Sequence, residues 1–432
     1  MYLETLKLHN FRCYEDLTIN FHEQYTVIVG NNGAGKTTVL EGAAIAASTM
    51  FVAMDNLSGR NIDKRSDALR VVYTLGDDDD VQPQYPVEIS AKGIVDGRLI
   101  EWKRSLNSDG GNTTVKEAKK LIAISADYQR RLRSGDSTLV LPLIAYYGTG
   151  RLWDYHRQKK YDTFNMNTRT NGYIDSVDGT ANIKLMLDWL KKMTIKSYQR
   201  QEEKRGEISA LTVVYQAMED CFSGISGYQN VKCRYNVDTN EVDIYYNDNY
   251  GKRMRIPLNQ LSDGYKGTIS LIVDIAYRMA ILNPQLSERV LMETDGIVLI
   301  DEVDLHLHPE WQQRILGDLT RIFPKVQFIV STHAPAVINT VKRENLLILE
   351  GMNAREPGGE VYGKDANGIL RSVMDTTERP RAVMDLFAAF YAALDEQRYE
   401  DANRILSELE NQIGDYDPEL VSCRVQLDLE LR

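Results

Sequence analysis

One stretch of this chain fixes its own local shape more tightly than any other. From Tyr25 to Thr37 it reads YTVIVGNNGAGKT, an apolar run that ends in a glycine-rich loop closed by lysine and threonine. Gly30 to Thr37 fits G-x-x-x-x-G-K-[ST], a phosphate-cradling loop that works only between a buried strand and a helix. The alanine-rich stretch Thr37 to Ser48 supplies that helix, so an α/β fold is expected. Gly30, Gly33 and Gly35 shape the turn, and the backbone of Asn31, Asn32 and Ala34 completes the cradle. Lys36 should reach the β and γ oxygens of ATP as a point charge. Thr37 should offer its hydroxyl to Mg²⁺, with Thr38 on the phosphates.

Three further motifs follow in a set order. Gly296 to Ile300 reads as a buried strand ending in Asp301 and Glu302. Asp301 suits Mg²⁺ opposite Thr37, and Glu302 is placed to orient or deprotonate an attacking water. Leu261-Ser262-Asp263-Gly264 precedes a helical stretch, Tyr265 to Leu282, and His333 follows the strand Val326 to Val330. Taken together, the four motifs resemble the ATP-binding-cassette (ABC) ATPases. That resemblance implies that Ser262 and Gly264 face the γ-phosphate held by a second subunit, and that His333 is the switch histidine. It therefore implies a homodimer closing head-to-tail on ATP, with higher oligomers open. The common signature carries Gln or Glu where this chain has Tyr265.

The bulk properties set outer limits. A length of 432 residues has room for about two or three domains. A net charge of −11 argues against a surface that is wholly a nucleic-acid footprint, though a local basic groove is compatible with it. Cys13, Cys221, Cys233 and Cys423 show no paired C-x-x-C spacing and read as reduced thiols. Cys221 and Cys233 lack a second ligand pair for zinc. The opening Met1 to Thr5 runs into a strand pattern without a signal-peptide core, and Gly267 to Leu282 is broken by Asp274 and Arg278. A cytoplasmic protein without a membrane contact is expected.

Along the chain, residues 1–105 read as an N-terminal ATPase lobe of strands around the loop. Residues 106–255 form an insert, mostly helical with strands. It has a charged, solvated helix over Val115 to Arg133, two helical patterns from Ala181 to Ala217, and a hairpin around Asp238-Thr239-Asn240. Residues 256–350 form a second ATPase lobe, 351–379 a linker, and 380–432 a helical region resembling one α-hairpin. That last region reads as a cap or as a docking surface.

The opening Leu6-Lys7-Leu8-His9-Asn10-Phe11-Arg12, with Asp304-Leu305-His306-Leu307-His308-Pro309, narrows the resemblance to the SMC/RecF/OLD-like branch of ABC ATPases. The fold implied is an α/β ABC-ATPase head, a P-loop mixed sheet with helices, carrying a mainly helical insert and a C-terminal α-hairpin. Asn10 and Arg12 are then additional nucleotide contacts. His306 and His308 invite a metal, yet their place past the acidic strand end suits a subunit-contact loop better. Leu141 to Arg151, LPLIAYYGTGR, is similar to the ATPase group of Septu-type antiphage defence, the PtuA family. That family implies an HNH nuclease partner of the PtuB kind, which cuts DNA, and related ATPases accompany retrons with their reverse transcriptase. The chain departs from the branch in having no assignable Q-loop glutamine and a compact insert in place of a coiled-coil arm.

Two other readings compete with a regulatory ATP switch. A repair ATPase of the RecF/SMC type would grip DNA itself, and its best strip is Lys191, Lys192, Lys196, Arg200, Lys204 and Arg205. An OLD-type nuclease would need a Toprim domain after Leu347 to Gly351. The 81 residues that follow give it little room, and their Asp415-x-Asp417 pair sits in a helix-breaking loop.

Overall fold

The computed structural model describes residues 1–75, 78–152, 168–179, 183–204, 206–374, 376–377 and 379–431. Gly76, Ala181 at the start of the helical patterns and Arg205 of the basic strip lie outside them. The described chain divides into two compact units, Met1–Lys364 and Asp365–Arg432.

In the first unit the apolar runs become strands in sequence. β1 (Tyr2–Phe11), β2 (Tyr14–Asn20) and β3 (Tyr25–Gly30) precede helix α1 (Lys36–Ser48). An outlying antiparallel pair, β4 (Arg70–Leu75) and β5 (Asp78–Pro83), is followed by β6 (Val87–Val95), β7 (Arg98–Leu106), α2 (Lys119–Arg133) and β8 (Leu143–Tyr147). The insert continues through α3 (Ile183–Glu202), α4 (Ser209–Ser226), β9 (Gln229–Asn236), β10 (Glu241–Asn247) and β11 (Arg253–Pro257). Then come α5 (Asp263–Leu282), α6 (Val290–Glu293), β12 (Gly296–Ile300), α7 (Pro309–Gln312), α8 (Ile315–Ile322), β13 (Val326–Ser331), α9 (Pro335–Ile338), β14 (Leu346–Glu350) and β15 (Asn353–Arg355).

The central sheet runs β15-β14-β3-β13-β12-β8, and only the edge pairing of β15 with β14 is antiparallel. β8, β12 and β13 are buried along their whole length, which is why β8 and β12 are unbroken apolar runs and β13 is apolar but for Gln327 and Ser331. This strand order has a functional consequence. β3 ends in the phosphate loop, its neighbour β13 ends in Ser331-Thr332-His333, and β12 beyond it ends in Asp301-Glu302. Parallel pairing brings the three ends to one edge, the place where ligands of open α/β sheets sit.

A second, antiparallel sheet of order β2-β1-β6-β7 lies beside it. Helix α1 contacts strands of both sheets and is buried almost all round. Small residues permit this. A Cβ at Gly42 would stand 2.7 Å from a Leu8 methyl, and Trp102 Nε1 on β7 donates to Ala46 O at 3.0 Å.

The insert is as expected in its helices and hairpin, with two differences. Helix α2 is charged but not merely solvated, since Leu121, Ser125 and Tyr128 are buried on one face and Ser125 Oγ donates to Met50 O at 2.5 Å. The hairpin β9–β10 gains a third strand, β11, whose Arg-Met-Arg-Ile-Pro sequence gives little strand signal.

The second unit holds α10 (Ala366–Ser372), α11 (Arg381–Asp395), α12 (Tyr399–Ile413) and α13 (Pro418–Glu430). The expected α-hairpin pairs one helix over Arg381 to Leu409 with another after Pro418; the first is instead two helices, α11 and α12, and α13 follows the break. Val383, Phe387, Phe390, Leu406, Leu409, Leu420 and Leu427 make its core. Asp417 of the Asp415-x-Asp417 pair has a structural role. It caps α13 by accepting from the Glu419 and Leu420 amides, and both its oxygens accept from Arg379 at 2.9 Å. The segment read as a linker holds β15 and α10.

Candidate functional site

The loop between β3 and α1 is shaped by its glycines at two left-handed positions, Gly33 (φ 83°) and Gly35 (φ 88°), where a side chain would be strained. Gly30 is required by crowding, because a Cβ there would meet Leu349 O at 2.6 Å. Gly35 caps α1 without a side chain, and the first turn of the helix carries no acid. The helix thus presents its N–H groups and positive end to the loop. Lys36 is buried and folds across the loop, its Nζ donating to Gly30 O (2.9 Å) and Asn31 O (3.2 Å). Burial pushes its ammonium down, and Asp301, Glu302 and Asp304 oppose that shift.

Tyr14 is a residue that sequence reasoning missed. Its hydroxyl donates to Ala34 O at 2.6 Å and its ring closes under Gly35, so β2 pins the loop from below. Burial raises its phenol well above the ordinary value, leaving it a donor throughout the neutral range. No local pattern announces this contact, since it spans twenty residues of chain.

At the neighbouring strand ends a single hydrogen-bonded chain orders the acidic pair. Thr37 Oγ1 donates to Asp301 Oδ2 at 2.6 Å, and Ser331 Oγ donates to Asp301 Oδ1 at 2.5 Å. The Glu302 amide donates back to Ser331 Oγ at 2.8 Å, and the Asp301 amide donates to Tyr147 O on β8 at 2.8 Å. Glu302 itself adopts φ 48°, a left-handed backbone uncommon outside glycine, which turns its carboxylate off the line of β12. Thr332 Oγ1 bonds Asp304 Oδ1 at 2.5 Å and accepts the Ala334 amide at 3.0 Å, fixing the turn that carries His333. Burial pushes the His333 imidazolium down, Lys36 adds to this, and Asp304, Glu302 and Asp301 oppose it.

The donor set fits Mg²⁺. A threonine hydroxyl and a carboxylate oxygen face each other at hydrogen-bond distance, both are hard oxygen ligands, and the other carboxylate oxygen is already held by Ser331. His306 and His308 are not part of a metal cluster among the described residues. His308 instead caps α7, its Nδ1 accepting the Glu310 amide at 3.4 Å, and His306 takes a left-handed φ of 63°.

The Ser-Gly segment begins α5. Ser262 is exposed at the cap position, yet its side chain makes no cap hydrogen bond. Gly264 is buried under the loop after β12, where a Cβ would come within 2.5 Å of His306 O. Tyr265, at the position of the usual Gln or Glu, packs its ring on Trp311 of α7 with centroids 4.5 Å apart.

Asn10 and Arg12 are brought near the loop only indirectly. Asn10 (φ 51°) gives its amide hydrogens to Pro86 O and to His9 Nε2. Arg12 (φ 55°) bonds Asp67 at 2.8 Å and pairs with Glu41 of α1, whose other oxygen binds Arg60 at 2.9 Å. Within one chain both residues tie the β1–β2 turn to its surroundings. β8 lies parallel to β12 with Tyr147 opposite Ile300, so Gly148 and Thr149 leave the sheet at the same edge.

A glycine-rich phosphate loop facing an acidic strand end is the make-up of a P-loop ATPase, and comparison with known proteins places the chain among ATPases. A family model described as an AAA domain matches residues 5–220, half of the chain, and a second AAA domain model matches residues 137–339. The chain belongs to the AAA domain family. It is similar to the retron Vc95 probable ATPase of Vibrio cholerae serotype O1 biovar El Tor, with 29% identity over 427 residues, 88% of this chain and 80% of that protein. It is also similar to the retron Ec83 probable ATPase of Escherichia coli, with 25% identity over 98% of this chain and 86% of that one. Septu protein PtuA of Bacillus thuringiensis is 26% identical over 92% of this chain and 90% of its own length. Among the described residues no helix is long and apolar enough to cross a membrane.

Proposed function

We propose that this chain is the ATP-hydrolysing regulatory subunit of an antiphage defence complex, working as a head-to-tail dimer around two ATP molecules. The observation that carries the hydrolytic part is the bonded chain Thr37–Asp301–Ser331–Glu302, which fixes a metal-binding carboxylate and a neighbouring base against one loop. The backbone of Gly30 to Gly35 and Lys36 hold the phosphates, with Thr38 beside them. Thr37 and Asp301 hold Mg²⁺, which when bound neutralises charge on the β and γ oxygens. Glu302 takes the proton of the attacking water, and neutral His333 orients the γ-phosphate. A second chain completes the site with Ser262 and Gly264. These two belong to a helix start whose hydroxyl serves no cap of its own.

The defence role is supported by the likeness to Septu PtuA and to retron ATPases over most of this chain. On this reading the ATPase assembles and regulates an HNH nuclease of the PtuB kind, and DNA is engaged through that nuclease. A retron reverse transcriptase is the second partner class. The repair reading is less favoured, since Lys191 of its basic strip is bonded to Asn240 within the insert. The test is to search the neighbouring genes for an HNH reading frame, co-express its product with the chain and challenge the cells with phage. Protection that disappears with Lys36→Ala and with Glu302→Gln supports the proposal. Equal protection by wild type and both variants contradicts it.

A further inference from the structure

The phosphate loop and the acidic pair account for one face of the site, but they leave the packing around Tyr265 unused. Rings from three separate stretches of sequence meet there. Tyr265 on α5 lies edge-on to Trp311 of α7, with centroids 4.5 Å apart at 68°, and its other neighbour is Phe222 of α4 at 5.8 Å. Phe222 lies 5.6 Å from Tyr246 on β10, and Tyr246 stacks on Tyr228 at 4.5 Å and 17°. The rings thus run from the contact loop, across the start of the signature helix, to the hairpin sheet of the insert.

Each end of this run needs outside support. α7 is four residues long, too short to hold itself, and its ring contact is what fastens it to α5. The loop before it, Asp304 to Pro309, presses His306 O against Gly264 so closely that only glycine fits, and Trp311 also stands 3.3 Å from the same point. The direction of Ser262 is set by where α5 begins, because its side chain makes no cap bond to fix it. Edge-to-face ring pairs stabilise beyond the area they bury, and so favour one orientation of the helix start over others.

We infer that Tyr265 and Trp311 are positioning residues that join the signature segment and the contact loop into one rigid block. The block is carried on the insert through Phe222 and presents Ser262 and Gly264 to the nucleotide of a second chain. The ring of Tyr265 locks the segment to its own subunit. Its loss damages the partner's ATP site and leaves the phosphate loop of its own chain intact. This inference rests on the two-chain reading above.

The experiment uses full-length chains and steady-state ATP turnover. Tyr265→Ala should bind ATP within about twofold of wild type yet lose at least about tenfold in kcat, the loss of one tenfold step per 1.4 kcal/mol of positioning. Tyr265→Phe, which keeps the ring, should recover most of the loss. Tyr265→Leu, which keeps apolar bulk, is read in the same way as alanine. The deciding step is mixing Tyr265→Ala with Lys36→Ala. A mixed dimer has one site built from an intact phosphate loop and an intact signature, so turnover should return to about a quarter of wild type. A parallel mixture of Ser262→Arg with Lys36→Ala reports the two-chain reading alone. If that control recovers and Tyr265→Ala does not, the positioning role is wrong and the sandwich stands. If neither mixture recovers, both fall.

Discussion

The phosphate loop and the signature segment belong to one proposed site, but the chain treats them differently. Around the loop every key polar group has a partner in its own chain: Lys36 on Gly30 and Asn31 carbonyls, Thr37 on Asp301, Tyr14 on Ala34. The signature has Ser262 exposed at a helix start, a buried glycine under a loop, and aromatic packing behind it. One region is finished by hydrogen bonds at 2.5–3.2 Å, and the other is held from behind and left facing outward. On the proposed two-chain reading, the difference lets a single chain bind ATP while hydrolysis needs a second chain. Affinity should depend on the first region and turnover on both.

The sharpest break in that comparison is Glu302→Gln. Turnover should fall by about 10²–10⁴, the usual worth of a positioned general base, with ATP affinity unchanged. Phosphate release and equilibrium binding measured on the same preparation separate the two. Next is Lys36→Ala, which should weaken ATP binding by about 10–100-fold, since hydrogen bonds to a charged group are worth about 1.5–3 kcal/mol. Calorimetric titration reads that directly. Retained affinity would mean that the loop does not hold the phosphates. Tyr14→Phe is milder. It leaves Ala34 O without its donor and should cost about 1 kcal/mol of stability, visible as a lower Tm, together with a few-fold loss of affinity.

The smallest effect concerns pH. Burial and Lys36 hold the pKa of His333 below its ordinary 6.5, so the unfolded chain takes up a proton before the folded one. The stability tied to neutral His333 is therefore present above pH 6.5 and is lost as pH falls through the lowered value. Turnover should decline along the same acid limb. His333→Gln should flatten that limb in the thermal melts, while an unchanged limb would assign it to another group.

The parts legible in the sequence are those where chemistry demands particular residues at particular spacing. Gly30 to Thr37 and Asp301-Glu302 were readable because phosphate and Mg²⁺ tolerate few substitutes, and an all-apolar β12 has little choice but burial. Tyr14 was not readable, because its value lies in a contact with Ala34 that only the folded chain creates. The same holds for Glu302's left-handed backbone and for the meeting of Phe222, Tyr265 and Trp311. Helix α2 teaches a different lesson. Leu121, Ser125 and Tyr128 at helical spacing did announce a docking face, but the charges around them masked it. The roles of Ser331 and Thr332 also went unread, since as side chains they look interchangeable with any polar pair ending a strand.

The central claim is that one chain's loop is completed by another chain's signature. Its most direct test mixes Lys36→Ala with Ser262→Arg, each inactive alone, and measures ATP turnover against the separate proteins. The account predicts that the mixture hydrolyses ATP at up to about a quarter of the wild-type rate, because half the dimers hold one complete site. A mixture as inactive as its parts would contradict it.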